Sequence, residues 1–352
     1  MNKNYRQLTE SIRRRVNPEN FAFKKSFSDE LATISYSEVL IFIRLAMKGV
    51  EPEYTQKSKD AGERVKGHLA KELANVTYKY QGSVMTNTHI KGFSDIDLLA
   101  MNENFYQPDK TKIKALLENS VRKAQFYEST IKKLESEVSG SPYQGNALND
   151  LRTMRLDSER IMSANYSICD VTKPKAIKIK NLSLNREVDI VIANWFDDIT
   201  SIINDKGDYR GVQIYDKELD TRGDADYPFL SIKRVNERSA DTNGRLKKMI
   251  RFLKNIKANS AQDVQLSSFD INAVCYDIKI SEYQYLSFYE LVPVIYNQLR
   301  EICNNSSKSD SIISVDGREY IFKYNESKLE NLKILLSEVE SIFLDLKSKI
   351  GV

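Results

Sequence analysis

Alternation of apolar and polar positions marks two stretches of the chain as strands. Val76, Tyr78 and Tyr80 alternate with polar neighbours, and Glu187 and Asp189 alternate with Val188 and Ile190. The first stretch belongs to a β-rich run over 76–101, and the second predicts a strand over 187–193. Further strands are predicted over 167–171, 176–180 and 211–215. Helices are predicted over 26–48, 55–73, 109–138, 148–164, 229–238, 244–258, 269–278, 283–303 and 328–347. Some carry their own punctuation. Ser35 and Glu38 make an S-x-x-E capping pattern, Gly49 and Gly140 are natural stops, and Pro52 separates the first two helices. Asp316-Gly317, between "SIISV" and "REYIFKY", predicts a two-residue hairpin. Residues 1–25 read as a basic lead-in and 304–311 as a polar loop.

The order of these elements predicts an α+β chain, with a mixed sheet in the first two thirds and a helical lobe in the last third. The expected domains are 1–227 and 228–352, and the cleft between them is the expected place for chemistry. A length of 352 residues suits two lobes. With 41% hydrophobic and 29% charged residues, the chain is neither disordered nor membrane-embedded. Its longest apolar stretch, Val39 to Ile43, ends at Arg44, far short of a membrane span. The polar, basic N-terminus is not a secretory signal, and a cytoplasmic protein is expected. Cys169, Cys275 and Cys303 lie far apart, with only His68 and His89 to supplement them, which argues against a zinc site or a disulfide framework. A net charge of +4, from 53 basic and 49 acidic residues, is too mild to imply a nucleic-acid partner.

The chemistry is concentrated in "GSVMTNTHIKGFSDIDLLAM". Gly82 and Ser83 stand at a turn where backbone can approach a ligand and a hydroxyl can hold phosphate oxygens. After eleven intervening residues comes Asp95-Ile96-Asp97. In a strand, residues two apart share a face, so Asp95 and Asp97 project together. Two carboxylates so placed repel unless a cation lies between them, and hard oxygen ligands suit Mg²⁺. Asp189, on a second strand, supplies a third acid. Three acids from two strands fit a site for two Mg²⁺ or Mn²⁺ ions, one activating an attacking hydroxyl and one gripping a triphosphate. A lone D-x-D is ordinarily a solvated face or turn; the preceding Gly-Ser and the later h-D-h strand tell against that here. Glu187 shares the face, and a solvated strand-end charge is its expected role.

This pattern resembles the DNA polymerase beta-like nucleotidyltransferase superfamily. More narrowly, the chain resembles the bacterial CD-NTases, relatives of cyclic GMP-AMP synthase and oligoadenylate synthase. The helix "KKMIRFLKNIK" resembles the R-h-h-K helix of oligoadenylate synthases, which implies that Lys254 binds the triphosphate. "LSSFDINAVCYDI" resembles the following serine-aromatic segment, which implies that Ser268 touches the triphosphate and Phe269 stacks on a base. The resemblance implies a palm sheet plus a helical lobe, bridged by a long N-terminal helix. It also implies synthesis of cyclic di- or trinucleotides from ATP, GTP or UTP, as second messengers of CBASS antiphage defence that activate a separate effector. The chain lacks the His-Cys-Cys zinc insertion of the animal DNA sensor, so no DNA activator is expected, nor a membrane; the protein is expected to act as a monomer. Phe269 stands where relatives often carry tyrosine, which keeps stacking but removes a hydroxyl.

Other readings stay open at this stage. A linear-oligonucleotide or tailing enzyme, or a toxin modifying RNA or protein, would use the same three acids. A non-catalytic nucleotide-binding scaffold is the alternative of another class, against which the intact acids argue. Lys254 lies among Lys247, Lys248, Arg251 and Lys257, which as a group could simply solvate a helix face. Phe269 could be core, Thr86 and Thr88 mere connector, and His89 an exposed loop residue.

Overall fold

Seven strands among the described residues form one mixed sheet: β1 (Val76–Gln81), β2 (Ile96–Pro108), β3 (Cys169–Asp170), β4 (Ile177–Asn181), β5 (Arg186–Asp197), β6 (Gly211–Asp216) and β7 (Thr221–Asp226). They are seen in a computed structural model that describes residues 3–14, 37–90 and 96–350. The order is β1-β2-β5-β4-β3. β2 and β5 run parallel, β1 lies antiparallel on the outside of β2, and the two halves of β5 pair antiparallel with β4 and β6.

The alternation read from the sequence sorts the two faces of this sheet. Ile96, Leu98 and Ala100 of β2, with Val188, Ile190 and Ile192 of β5, point into a large apolar cluster. Two helices contribute to it: α3 (Pro52–Glu72), through Ala61, Val65 and Leu69, and α7 (Ala147–Asn165), through Leu151, Met154, Ile161 and Met162. The opposite face carries a smaller cluster of Leu99, Met101, Val191, Ala193, Trp195 and Val212. Asp97 and Asp189 belong to that second face by the two-residue period.

The remaining helices are α1 (Tyr5–Arg14), α2 (Glu38–Met47), α4 (Lys110–Glu118), α5 (Ser120–Lys123), α6 (Glu128–Ser139), α8 (Ile199–Ile203), α9 (Pro228–Asp241), α10 (Arg245–Asn259), α11 (Ser268–Asp277), α12 (Leu291–Asn304), α13 (Ser306–Ser311) and α14 (Glu326–Ile350). Residues 26–36 of the first expected helix, with Ser35, lie outside the described residues. Pro52 opens α3, where its missing N–H is among donors that a helix start leaves unpaired anyway. The single helix expected over 109–138 is three, because Asn119 ends α4 and its side chain accepts from Arg122 N to start α5. The hairpin expected around Asp316-Gly317 contracts to one bridge, Ile313 to Tyr320. Ile312, Val315, Ile321 and Phe322 are drawn into the helical core, and Ser314 and Asp316 side chains hold the turn.

The chain divides into two units. One holds residues 51–85 and 96–233, the sheet with α3 to α8. The other holds 3–14, 37–50, 86–90 and 234–350, where α1, α2, α10, α11, α12 and α14 share a single core. The N-terminal helices are therefore split between the units, with α1 and α2 in the helical one and α3 under the sheet.

Candidate active site

In the sheet unit, Asp97 of β2 sits directly beside Asp189 of β5 in the parallel register. Gln81 of β1 flanks Asp97 on one side, and Lys178 of β4 flanks Asp189 on the other. Gly82 follows Gln81 with φ +87°, a conformation that disfavours any side chain. A Cβ at Gly82 would come within 2.4 Å of Asp97 Oδ2, so the carboxylate rests against bare backbone. Met85 N closes the turn onto Gly82 O at 3.2 Å, and the buried Val84 pins it to the core over α3. Ser83 lies half-buried between them. Asp95, the remaining expected acid, lies outside the described residues, and among the described residues no cluster of three or more metal-ligating side chains forms. The donor set nonetheless suits a divalent cation: two half-buried carboxylates side by side, which repel until positive charge is placed between them.

The other expected residues belong to the helical unit. Lys254 is only 7% exposed, which rules out the solvated helix face. Its Nζ reaches Thr88 Oγ1 at 3.5 Å, and Thr88 in turn pairs with Thr86 Oγ1 at 2.8 Å. Burial pushes the Lys254 ammonium down to about 8. One turn earlier on α10, Arg251 is also buried, but its fork is occupied. Nε donates to Met47 O at 2.8 Å and Nη1 to Asn87 O at 2.7 Å. Asn255 donates to Ala46 O at 2.9 Å, so α10 satisfies two end carbonyls of α2. Ser268 is exposed at the first position of α11, behind a capping box of Ser267 and Asp270, and Phe269 is half-buried against the helical core.

Two sequence expectations near these residues fail. His89 is fully buried, not an exposed loop residue, because the 86–90 connector is packed into the helical unit. Lys257 is not a plain surface lysine, since its Nζ donates to Leu266 O just before α11. Neither is visible in local sequence, because both depend on tertiary packing. The R-h-h-K spacing does put Arg251 and Lys254 on one helix face, but not their different partners.

The C-terminal helices match the cGAS/DncV-like nucleotidyltransferase C-terminal helical domain over residues 233–343. Across nearly the whole chain, 53% identity over 350 residues links it to a c-di-GMP synthase of Capnocytophaga granulosa, covering 98% of this chain and 99% of that one. The chain belongs to the bacterial CD-NTases. This CD-NTase also resembles two solved structures of STING-associated CdnE c-di-GMP synthases. That from Flavobacteriaceae sp. matches with TM-score 0.89 and 37% identity, over 99% of this chain and 100% of that one. That from C. granulosa matches with TM-score 0.82 and 48% identity, over the same shares. It is thus a nucleotidyltransferase that makes cyclic oligonucleotide second messengers from nucleoside triphosphates in antiphage signalling, by chemistry that is divalent-metal dependent in this family. No helix among the described residues is long and apolar enough to cross a membrane.

Proposed function

We propose that this CD-NTase joins two molecules of GTP into cyclic di-GMP, with Asp95, Asp97 and Asp189 as its metal-binding and catalytic acids. The observation that carries the site is the direct register of Asp97 and Asp189 against the bare backbone of Gly82. The choice of GTP rests on three relatives named c-di-GMP synthases, 53%, 40% and 39% identical over nearly the full chain. When bound by the acids, two divalent ions supply a lowered hydroxyl pKa and a counter-charge for the departing pyrophosphate. The protein's own share is positioning and charge. Asp189 orients the attacking ribose hydroxyl and favours its deprotonation. The Gly82-Ser83 turn offers N–H groups and a hydroxyl to triphosphate oxygens. Lys254 binds the triphosphate through its cation, Ser268 touches it through its hydroxyl, and the Phe269 ring stacks on a base. One set of acids serves both bond-forming steps, because the linear intermediate keeps a triphosphate and the second attack needs the same in-line geometry. The protein works as a monomer, without a DNA activator, and its product acts on a separate effector.

The test is incubation of nuclease-treated protein with each triphosphate singly and in pairs, with Mg²⁺, followed by phosphatase. GTP alone should yield a phosphatase-resistant product whose rate duplex DNA does not raise. A requirement for ATP or UTP would overturn the choice of GTP. A ladder of phosphatase-sensitive products would instead establish a linear or tailing enzyme.

A further inference from the structure

Two threonines, Thr86 and Thr88, lie buried in the 86–90 connector of the helical unit. Residues two apart in an extended strand are roughly 6–7 Å from each other, yet these two hydroxyls meet at 2.8 Å. Asn87 between them makes the approach possible. Its φ of +51° is a left-handed turn that asparagine tolerates, and its carbonyl accepts from Arg251 Nη1. Valine has nearly the shape of threonine, and a buried hydroxyl is costly unless it is paired. Thr88 Oγ1 is paired twice, with Thr86 and with Lys254 Nζ at 3.5 Å. An ammonium only donates, so Thr88 Oγ1 accepts from it and directs its own proton to Thr86 Oγ1.

We propose that Thr88 is a positioning residue for triphosphate binding, whose hydroxyl, backed by Thr86, keeps Lys254 in its charged form. The inference rests on the assignment of Lys254 to the triphosphate. Burial works against the charge, and so do Lys257 and Arg251 on α10 itself. The remaining titratable neighbour is Cys275 of α11, whose thiol is pushed up by complete burial and is neutral at physiological pH. Among the described residues, Thr88 Oγ1 is the acceptor that the ammonium reaches. A hydroxyl whose proton points away, to Thr86, turns its lone pairs to Lys254 and favours ammonium over amine. A threonine that served only to hold the connector would influence nucleotide affinity equally at every pH and whether or not Lys254 is present.

The test measures affinity of the full-length protein for a non-hydrolysable GTP analogue as a function of pH, by calorimetric titration. In the wild type affinity should fall as pH rises through about 8. Thr88→Val keeps the shape and removes the acceptor. It should lower that midpoint by about half to one pH unit, the scale of one long hydrogen bond to a charged group. At pH 8 the variant should therefore bind about threefold more weakly, and near pH 6.5, where Lys254 is charged in both proteins, within about twofold of wild type. Thr88→Ser, which restores the hydroxyl, should recover the wild-type midpoint. In the Lys254→Met background Thr88→Val should change affinity less than about twofold at either pH, because the group it acts through is gone. Should the valine variant not fold, Thr88→Ala against Thr88→Ser makes the same comparison. If Lys254→Met loses affinity while Thr88→Val weakens binding equally at both pH values, or weakens it further beside Lys254→Met, the inference falls and the Lys254 assignment stands. If Lys254→Met leaves affinity unchanged, both fall.

Discussion

Replacing Lys254 with methionine should make the protein more stable and worse at its task. The side chain is 7% exposed, and its ammonium has Thr88 Oγ1 at 3.5 Å rather than a carboxylate beside it. Burial lowers its pKa from 10.5 to about 8, which at about 1.4 kcal/mol per pH unit means that keeping it charged at neutral pH costs about 3 kcal/mol. Methionine keeps the stem and removes the charge, so Lys254→Met should gain about 1–3 kcal/mol at pH 7. The sign with pH is fixed by proton counting. Between pH 8 and 10.5 the unfolded chain holds a proton that the folded one has released, so wild-type stability rises with pH there. The advantage of the variant should therefore be full at pH 7 and shrink by pH 9.5. Affinity for a non-hydrolysable GTP analogue should fall about tenfold or more at pH 7, because a charge-assisted phosphate contact contributes roughly 1.5–3 kcal/mol. In the wild type the same affinity should weaken as pH rises through 8, as the ammonium is lost. Denaturant melts and calorimetric titration at both pH values check this. A variant that melts lower at pH 7 and binds the analogue unchanged would refute the reasoning.

Asp97→Asn and Asp189→Asn should each abolish product while denaturant melts stay level or rise, since repulsion between adjacent carboxylates is relieved; substantial turnover in either would remove the acid assignment. Gly82→Ala should cost at least about a hundredfold in turnover, by the left-handed backbone it strains and the carboxylate it displaces, with an unchanged far-ultraviolet spectrum. Lys257→Met should destabilise by about 0.5–1.5 kcal/mol in a melt, through the Leu266 carbonyl it leaves unpaired, where a surface lysine would have no effect.

What could be read from the sequence follows what local pattern encodes. The first half of β5 is legible because only one of its faces is fully buried there, and Val188 and Ile190 have to alternate with the half-buried Glu187 and Asp189 whatever lies on either side. β7 is not legible: Thr221–Asp226 is "TRGDAD", with no apolar face, and exists as a strand only because β6 offers it a ladder. The second half of β2 is hidden for a related reason. Its register shifts between Asn102 and Tyr106, which breaks the two-residue rhythm before it resumes against Trp195. At the site, the Gly82-Ser83 turn and the two aspartate strands stand out by spacing. Their adjacency does not, because the strand order that brings β5 beside β2 joins segments some ninety residues apart in the chain.

The R-h-h-K segment marks the limit of spacing as an argument. Arg251 and Lys254 are three residues apart on α10, both basic and both buried, and spacing alone does not tell them apart. Their chemistry separates them. A guanidinium is a planar fork of five donors, and burial suits it wherever carbonyl groups converge. Met47 O, at the end of α2, and Asn87 O, in the connector, converge on Arg251, whose charge is spent on architecture. An ammonium is a compact point charge that carbonyls at two different angles satisfy less well, and Lys254 has a long contact to a threonine hydroxyl in their place. A buried cation that is incompletely satisfied is costly in the empty protein and strong towards an anion that reaches it. The proposed triphosphate role of Lys254 thus rests on its poor environment, and the filled fork of Arg251 gives that residue a structural role instead.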